Sequence, residues 1–442
     1  MAPNHDEQMN MRRERREAMR RKQEAERKRM KIGLIAAAFV LVACAAGLIF
    51  ITRNKTAASA PAMNVQNQPE ETTQPTQPPT EETKAARGFQ EPITIHIKAA
   101  GDLNITNSVV SAGLAATGYD YSRAFMDVAA VLSDADLTVL NFEGNVCGEP
   151  YGDETTSAPK EILDGLRKAG VDLLQTANSR SIQNGLIGLT ATLRAIREAG
   201  LAPVGSFSSP SEFAKTKGYT MCDVPGVKVA FVAFTKGFLG MGLPTGNEDC
   251  VNLLYEDYAT TYDKVDKEGI NAILKNIQAE EPDITIALVH WGSENNESVS
   301  STQESIVSLM KKGGVDIILG SHPHTLQHIE FDELKGTLVA YSLGDFFGNG
   351  IEGGTNYSII LDMEITKDPM EGITKVTGYS YTPIYTLKEE ECDGYRRVVR
   401  IEEAMIAYNT NYVDKVSDTA YAGMEKAMTR IPERLKPPVV ED

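Results

Sequence analysis

From residue 91 onward the chain alternates short runs rich in β-branched residues with amphipathic stretches, and that alternation restricts the fold class before any single residue is weighed. ITIHIKAAG (93–101), LTVLNF (137–142), VDLLQTA (171–177), KVAFVAFT (228–235), ITIALVH (284–290), VDIILGS (315–321) and TLVAYSL (337–343) have the length and composition of strands. Between them, 122–133, 159–169, 186–199, 258–280 and 301–312 repeat apolar residues at three- and four-residue steps, which predicts helices. Gly170 and Gly200 fall where two of those helices should stop. Such alternation makes an α/β sheet with helices packed on it. After 355 it gives way to two longer strands, YSIILDMEIT and TKVTGYSYTPIYTL, and from 400 or so to a polar helical tail that reads as a covering element.

What precedes residue 91 has a different character. Ile32–Ile51 (IGLIAAAFVLVACAAGLIFI) carries no charge. At a helical rise of ~1.5 Å per residue its twenty residues span ~30 Å, the thickness of a bilayer's hydrocarbon core. Residues 1–31 hold 11 basic and 6 acidic side chains, so the positive-inside rule keeps them in the cytoplasm and sends everything after Ile51 outside. The expectation is an uncleaved single-pass membrane anchor. Ala58-Ser59-Ala60 resembles a signal-peptidase box, but Pro61 would follow the cut, and the apolar run exceeds the ~7 to 15 residues of a signal core. Leu41-Val42-Ala43-Cys44 resembles a bacterial lipobox, although the apolar run continues to Ile51 where a lipoprotein would turn polar. On either reading the folded part is extracellular and tethered. Residues 52–90, rich in Pro, Thr, Gln and Glu, cannot bury enough apolar surface to repay their ordering entropy and read as a disordered spacer. The organisation is then a tail (1–31), an anchor (32–51), a linker (52–90), an α/β domain (91–390) and a C-terminal helical extension (391–442).

Composition adds exclusions. The formal charge of −17 comes from 44 Lys+Arg against 61 Asp+Glu, and without residues 1–31 it becomes 33 against 55, or −22. A bulk of that sign repels nucleic acid and anionic headgroups, and no compensating basic patch follows residue 31. Cys147, Cys222, Cys250 and Cys392 show no C-x-x-C spacing, which argues against a zinc knuckle or redox motif. They read mainly as isolated structural cysteines, with Cys222 and Cys250 as the one candidate disulfide pair.

The unusual polar residues lie at strand ends. Asp102 follows the first strand, Asn141 and Glu143 the second, Asn178 the third, His290 the fifth, and His322 and His324 the sixth. Ligands of open α/β sheets bind at the carboxyl ends of strands, so these groups should converge on one rim. Of this set, the carboxylates of Asp102 and Glu143, the amide oxygen of Asn178 and the three imidazoles suit one or two divalent ions such as Zn²⁺, Mn²⁺ or Fe²⁺. Pro323 should hold His322 extended, letting the two imidazoles of His322-Pro323-His324 point to one side. Each signal alone has an ordinary structural explanation; their recurrence at separate strand ends is harder to explain that way. His5, His96 and His328 have no second signal and take a structural reading.

These residues sit in segments that resemble the bacterial capsule synthesis protein family of CapA and PgsA, the poly-γ-glutamate capsule proteins. The segments are AAGDLNI (99–105), VLNFEGNV (139–146), TANSRSIQNG (176–185), GLTATLRAIREAGL (188–201), LVHWGSEN (288–295), GVDIILGSHPHTLQ (314–327) and VAYSLGDFF (339–347). The resemblance implies a branch of the calcineurin-like metallophosphoesterases, with a four-layer α/β/β/α sandwich and a dinuclear metal centre. Carried over by residue, it implies Asp102 and His324 on one metal, Asn178, His290 and His322 on the other, and Glu143 as the bridge. In an active enzyme of this kind the ion pair activates water and clamps the phosphoryl oxygens.

The departures are informative. Where the family reads Asn-Asn-His-x-x-Asp, this chain reads Asn178-Ser179-Arg180-Ser181-Ile182-Gln183, so both the imidazole and the carboxylate that orients it are missing. Loss of a leaving-group acid costs about 10² to 10⁴ in rate. Arg180 is too basic to donate a proton usefully, but its guanidinium can grip a phosphate or carboxylate. Glu294 is a second candidate for substrate contact, and Asp345 stands where the family commonly has Asn. The resemblance therefore implies a membrane-anchored, extracellular component of poly-γ-glutamate synthesis or export, with other capsule synthase subunits as partners. An active phosphoesterase on an envelope phosphate ester and a metal-free binding scaffold are the alternatives.

Overall fold

The computed structural model describes residues 91–410 and 416–438. They belong to one unit, Phe89–Asp442. The basic tail, the apolar run at 32–51 and the linker lie outside the described residues. Among the described residues, no helix is long and apolar enough to cross a membrane.

The chain builds a mixed α/β sandwich of two sheets. Its first strands are β1 (Ile93–Asn104), β2 (Leu137–Glu143), β3 (Leu173–Gln175) and β4 (Ala202–Val204), which run parallel to one another in one sheet. The second sheet collects β5 (Thr220–Val224), β6 (Val227–Thr235), β7 (Ile284–His290), β8 (Ile317–Ser321), β9 (Ile329–Asp332) and β10 (Thr337–Ala340), in the order β5-β6-β7-β8-β10-β9. The chain then returns to the first sheet with β11 (Asp345–Phe347), β12 (Tyr357–Asp368), β13 (Ile373–Leu387) and β14 (Arg397–Arg400). That sheet runs β14-β13-β12-β1-β2-β3-β4, with β11 also paired to β1.

Period-two alternation explains the layering. Val229, Phe231 and Ala233 of β6 and Ile284, Ile286 and Leu288 of β7 face Ile95, Ile97 and Ala99 of β1 in the core between the sheets. Their neighbours Ala230, Val232, Phe234, Ala287 and Val289 point the other way, onto helices Lys267–Gln278 and Ser301–Lys312. Both faces are covered, which is why β6 and β7 read as unbroken apolar runs. On the outer face of the first sheet, Leu140 and Phe142 pack on Phe125, Val128, Ile162 and Leu166 of helices Ser122–Leu132 and Glu161–Lys168.

Several boundaries differ from the sequence expectation. The helix expected over 258–280 begins only at Lys267, because the Asp257 carboxylate accepts from Asp263 N at 2.8 Å and Lys264 N at 3.1 Å and wraps that segment into a turn. Asp266 then caps the helix by accepting from Gly269 N at 2.8 Å. The expected strand 171–177 shortens to Leu173–Gln175, while β4, β5, β9 and β11 are too short or too polar to announce themselves. The polar tail from 400 forms helices Ile401–Thr410 and Asp418–Leu435, preceded by edge strand β14. Ala420, Met424, Ala427, Ile431 and Leu435 bury one stripe in the inter-sheet core, so this segment is part of the domain's packing. The candidate pairing of Cys222 with Cys250 is not realised. Both thiols are free, Cys222 on edge strand β5 and Cys250 in the turn Glu248–Cys250.

Candidate metal centre

The carboxyl ends of β1, β2, β7 and β8 meet at one rim and bring the strand-end groups together. Asp102 owes its position to Gly101, where a Cβ would stand 1.8 Å from Gly344 O, so β1 can pass the loop before β11 only with glycine there. The buried Asp102 carboxylate accepts from Asn141 Nδ2 at 2.7 Å and from His322 N at 3.0 Å, and lies 3.3 Å from His324 Nδ1. His324 Nδ1 is also 2.9 Å from Asp345 Oδ1, and Asn104 Nδ2 donates to that same oxygen at 2.9 Å. Across the rim, Glu143 Oε1 is 3.6 Å from His290 Nε2. The His290 ring is fully buried between Ser179 Oγ, 2.9 Å from Nε2, and Ser321 Oγ, 3.1 Å from Nδ1. The His290 and His322 ring centroids are 4.6 Å apart, and those of His322 and His324 are 5.9 Å apart.

His322 does not take the extended geometry expected before Pro323. Its φ is 92°, and His324 follows at 59°, both in the left-handed region that non-glycine residues avoid. Such conformations cost about 1–3 kcal/mol each and persist only where surroundings over-determine them. Here the bond from His322 N to Asp102 supplies one such constraint, and both imidazoles still reach the rim.

The donor atoms of three groups each lie within 4.8 Å of one another: Asp102, Glu143 and His324; Glu143, His290 and His322; and Glu294, His322 and His324. Glu143 belongs to the first two, the position a bridging ligand requires. Among the described residues the buried Glu143 Oε2 and His322 Nδ1 have no hydrogen-bond partner, an unmet demand that binding of a divalent ion would satisfy. Burial and the neighbouring Asp102 and Asp345 carboxylates push the Glu143 carboxyl up to about 8, although His324 opposes the shift. Burial, reinforced by neighbouring cationic groups, holds His290 and His322 neutral, the form a metal needs. Burial works against a charged His324 as well, but Asp345 and Asp102 outweigh it and keep it protonated well above the ordinary range. The mixed imidazole and carboxylate set fits divalent ions of the Zn²⁺, Mn²⁺ or Fe²⁺ type.

Asn178 joins the cluster with its amide already engaged. Its Nδ2 donates to Phe142 O at 2.7 Å and Asn141 Oδ1 at 3.1 Å, and its Oδ1 accepts from Arg180 N at 3.0 Å. Arg180 Nη1 lies 3.5 Å from Gln183 Oε1, so the guanidinium and amide that replace the missing imidazole and carboxylate are themselves neighbours. Arg180 lines a cleft of about 260 Å³ with Glu143, His324, Asp345 and Glu294. The exposed Glu294 also borders a second cleft. His96 and His328 lie away from the rim, His96 against Asp362 Oδ1 at 3.0 Å and His328 tilted against the Tyr341 ring with centroids 4.6 Å apart. Sequence reasoning missed Asn104, Ser179 and Ser321 as supporting contacts. Asn104 is two residues from Asp102 on the same face of β1, a spacing that could have flagged it.

Fold and site together define a two-sheet α/β protein whose strand-end rim gathers imidazoles and carboxylates at metal-ligating spacing. The chain belongs to a family described as bacterial capsule synthesis protein PGA_cap, whose model matches residues 96–349. It is 31% identical over 242 residues to the capsule biosynthesis protein CapA of Bacillus anthracis, covering 52% of this chain and 54% of that one. It is 28% identical over 234 residues to the PGA biosynthesis protein CapA of Bacillus subtilis (strain 168), covering 50% and 56%. The chain thus spans about half the length of these curated relatives. Among solved structures, a novel phosphatase from Mycoplasma pneumoniae aligns with a TM-score of 0.41 at 15% identity, over 67% of this chain and 95% of the other. The calcineurin-like phosphoesterase YfkN of Bacillus subtilis aligns with a TM-score of 0.40 at 15% identity, over 77% and 98%.

Proposed function

We propose that this protein is a membrane-anchored, outward-facing component of anionic envelope polymer synthesis or export, with poly-γ-glutamate as the polymer and other synthase subunits as partners. The observation that carries the reading is the pair of imidazole and carboxylate groups sharing Glu143, set in a family member whose remaining polar arm is Arg180. Asp102, Glu143 and His324 would hold one divalent ion, and Glu143, His290 and His322 the other, with Asn178 at the second through its remaining lone pair. Such ions supply Lewis acidity and a local reversal of the domain's negative charge. Arg180 orients an anionic group beside them, and Asn104 with Asp345 fixes the His324 ring. The expected four-layer sandwich provides the rigid rim.

Binding is favoured over turnover because the position that would donate a proton to a leaving group carries a guanidinium, which does not release one at neutral pH. The test is replacement of Glu143 or His322 by Ala in the producing cell. Loss of cell-bound polymer with unchanged protein level in the membrane fraction is expected; normal polymer in both variants would refute the role. The phosphoesterase reading draws support from the cleft beside the centre. It requires Mn²⁺-dependent turnover across an ester panel that His322→Ala abolishes.

A further inference from the structure

The strand ends that form the centre have a further neighbour in β6. β6 lies beside β7 in parallel register, with Thr235 opposite His290, so the residue after β6 emerges at the same rim. That residue is Lys236, whose N–H donates to His290 O at 2.9 Å. The next residue must be glycine, since a Cβ at Gly237 would stand 2.3 Å from Tyr258 O. The turn carries the Lys236 side chain over a second cleft of about 280 Å³, lined by Ser179, Lys236, Leu239, Tyr262, Ser293, Glu294 and His322. Lys236 Nζ donates to Gly292 O at 2.7 Å and sits 4.9 Å from the Tyr262 ring centroid. A carbonyl and an aromatic face orient the ammonium, and Glu294 is the carboxylate whose charge it feels across the cleft. Glu294 is the carboxylate lining this cleft, and it also lines the Arg180 cleft and lies within reach of His322 and His324.

Arg180 and Lys236 therefore flank the centre from two clefts that meet at Glu294. We infer that the Lys236 cleft is a second anion subsite, which takes a further carboxylate or phosphate of an extended anionic chain whose first anionic group lies at the metal centre beside Arg180. This rests on the reading of the centre as a metal-dependent anion site. A compact anion fills only the centre, whereas a chain with repeated charges engages both clefts. The arrangement lets an acidic domain hold a polyanion through a short cationic line, with bulk repulsion screened over ~8 Å at physiological salt.

The test uses the full chain loaded with Mn²⁺ and titrated calorimetrically with inorganic phosphate, a short γ-linked oligoglutamate and tripolyphosphate. The two extended anions separate carboxylate from phosphate recognition. Lys236→Gln is expected to weaken the extended anion that wild type binds by about tenfold, the loss of one charge-assisted hydrogen bond, and to leave phosphate within about twofold. Lys236→Arg should restore most of the affinity, and metal content and melting temperature should match wild type. Equal loss for phosphate and the extended anion, no loss for either, or wild-type binding of phosphate but of neither extended anion would overturn the subsite. If loaded wild type binds none of the three, the anion-site reading of the centre itself falls, a result distinct from failure of Lys236 alone.

Discussion

Glu143 shows how a single residue governs the centre. Its carboxyl is buried among other carboxylates and rises to about 8, while the same group in the unfolded chain titrates near ~4.3. Between those values the folded protein keeps a proton that the unfolded chain has lost, so rising pH lowers the stability of the metal-free protein. His290 and His322, with lowered pKa values, are neutral in both states above ~6.5 and add nothing in the upper part of that window. His324, raised, acts in the same direction as Glu143. The melting temperature of chelated protein should fall between about pH 6.5 and 8.5, and Glu143→Gln should flatten that slope. Because an ion must displace the same protons, Mn²⁺ affinity measured by calorimetry should rise over the same interval. Asp345 offers a second test: it orients His324 at 2.9 Å, so Asp345→Ala should weaken metal binding about 10- to 100-fold in a chelator competition.

At the scale of elements, the helix Asp418–Leu435 is the instructive case. Its polar sequence reads as a covering element, and Met424, Ala427 and Ile431 prove to be fully buried in the inter-sheet core. Arg434 pairs with Glu297, and Arg430 lies 3.9 Å from the same carboxylate, in the segment that follows Glu294 toward the capped helix Ser301–Lys312. Removing buried methylenes here should cost what it costs in any core. Met424→Ala is expected to destabilise the protein by about 2–5 kcal/mol in urea unfolding, and a cost within ~0.5 kcal/mol would show that the helix is dispensable. The sequence hid this because a stripe of one residue in three or four, among many charges, resembles a surface helix until a partner face is known.

Charge is a property of the whole molecule. A chain of −17, and −22 beyond its basic tail, repels a polyanion from a distance, so attraction must be local. For the metal-loaded protein this gives an inverted salt effect: the association rate with a polyanion should rise between about 20 and 150 mM salt as bulk repulsion is screened. A falling rate in stopped-flow measurements would mean that the cationic line dominates at long range. The tail, the apolar run and the linker lie outside the described residues.

The sequence alone was enough to place the α/β class, the strands β1, β2, β6, β7 and β8, and the strand-end residues Asp102, Glu143, His290, His322 and His324. Those features depend on periodicity and on local rules about where strands end, and both are written in neighbouring residues. Tertiary structure decided the rest. The left-handed backbone of His322, the engagement of the Asn178 amide, the pairing of Asp345 with His324 and the convergence of Lys236 on the rim all depend on groups distant in sequence. Lys236 follows a strand end like the others, but lysine after a strand is ordinary solvent-facing chemistry. Only the parallel register of β6 beside β7 turns it toward the centre.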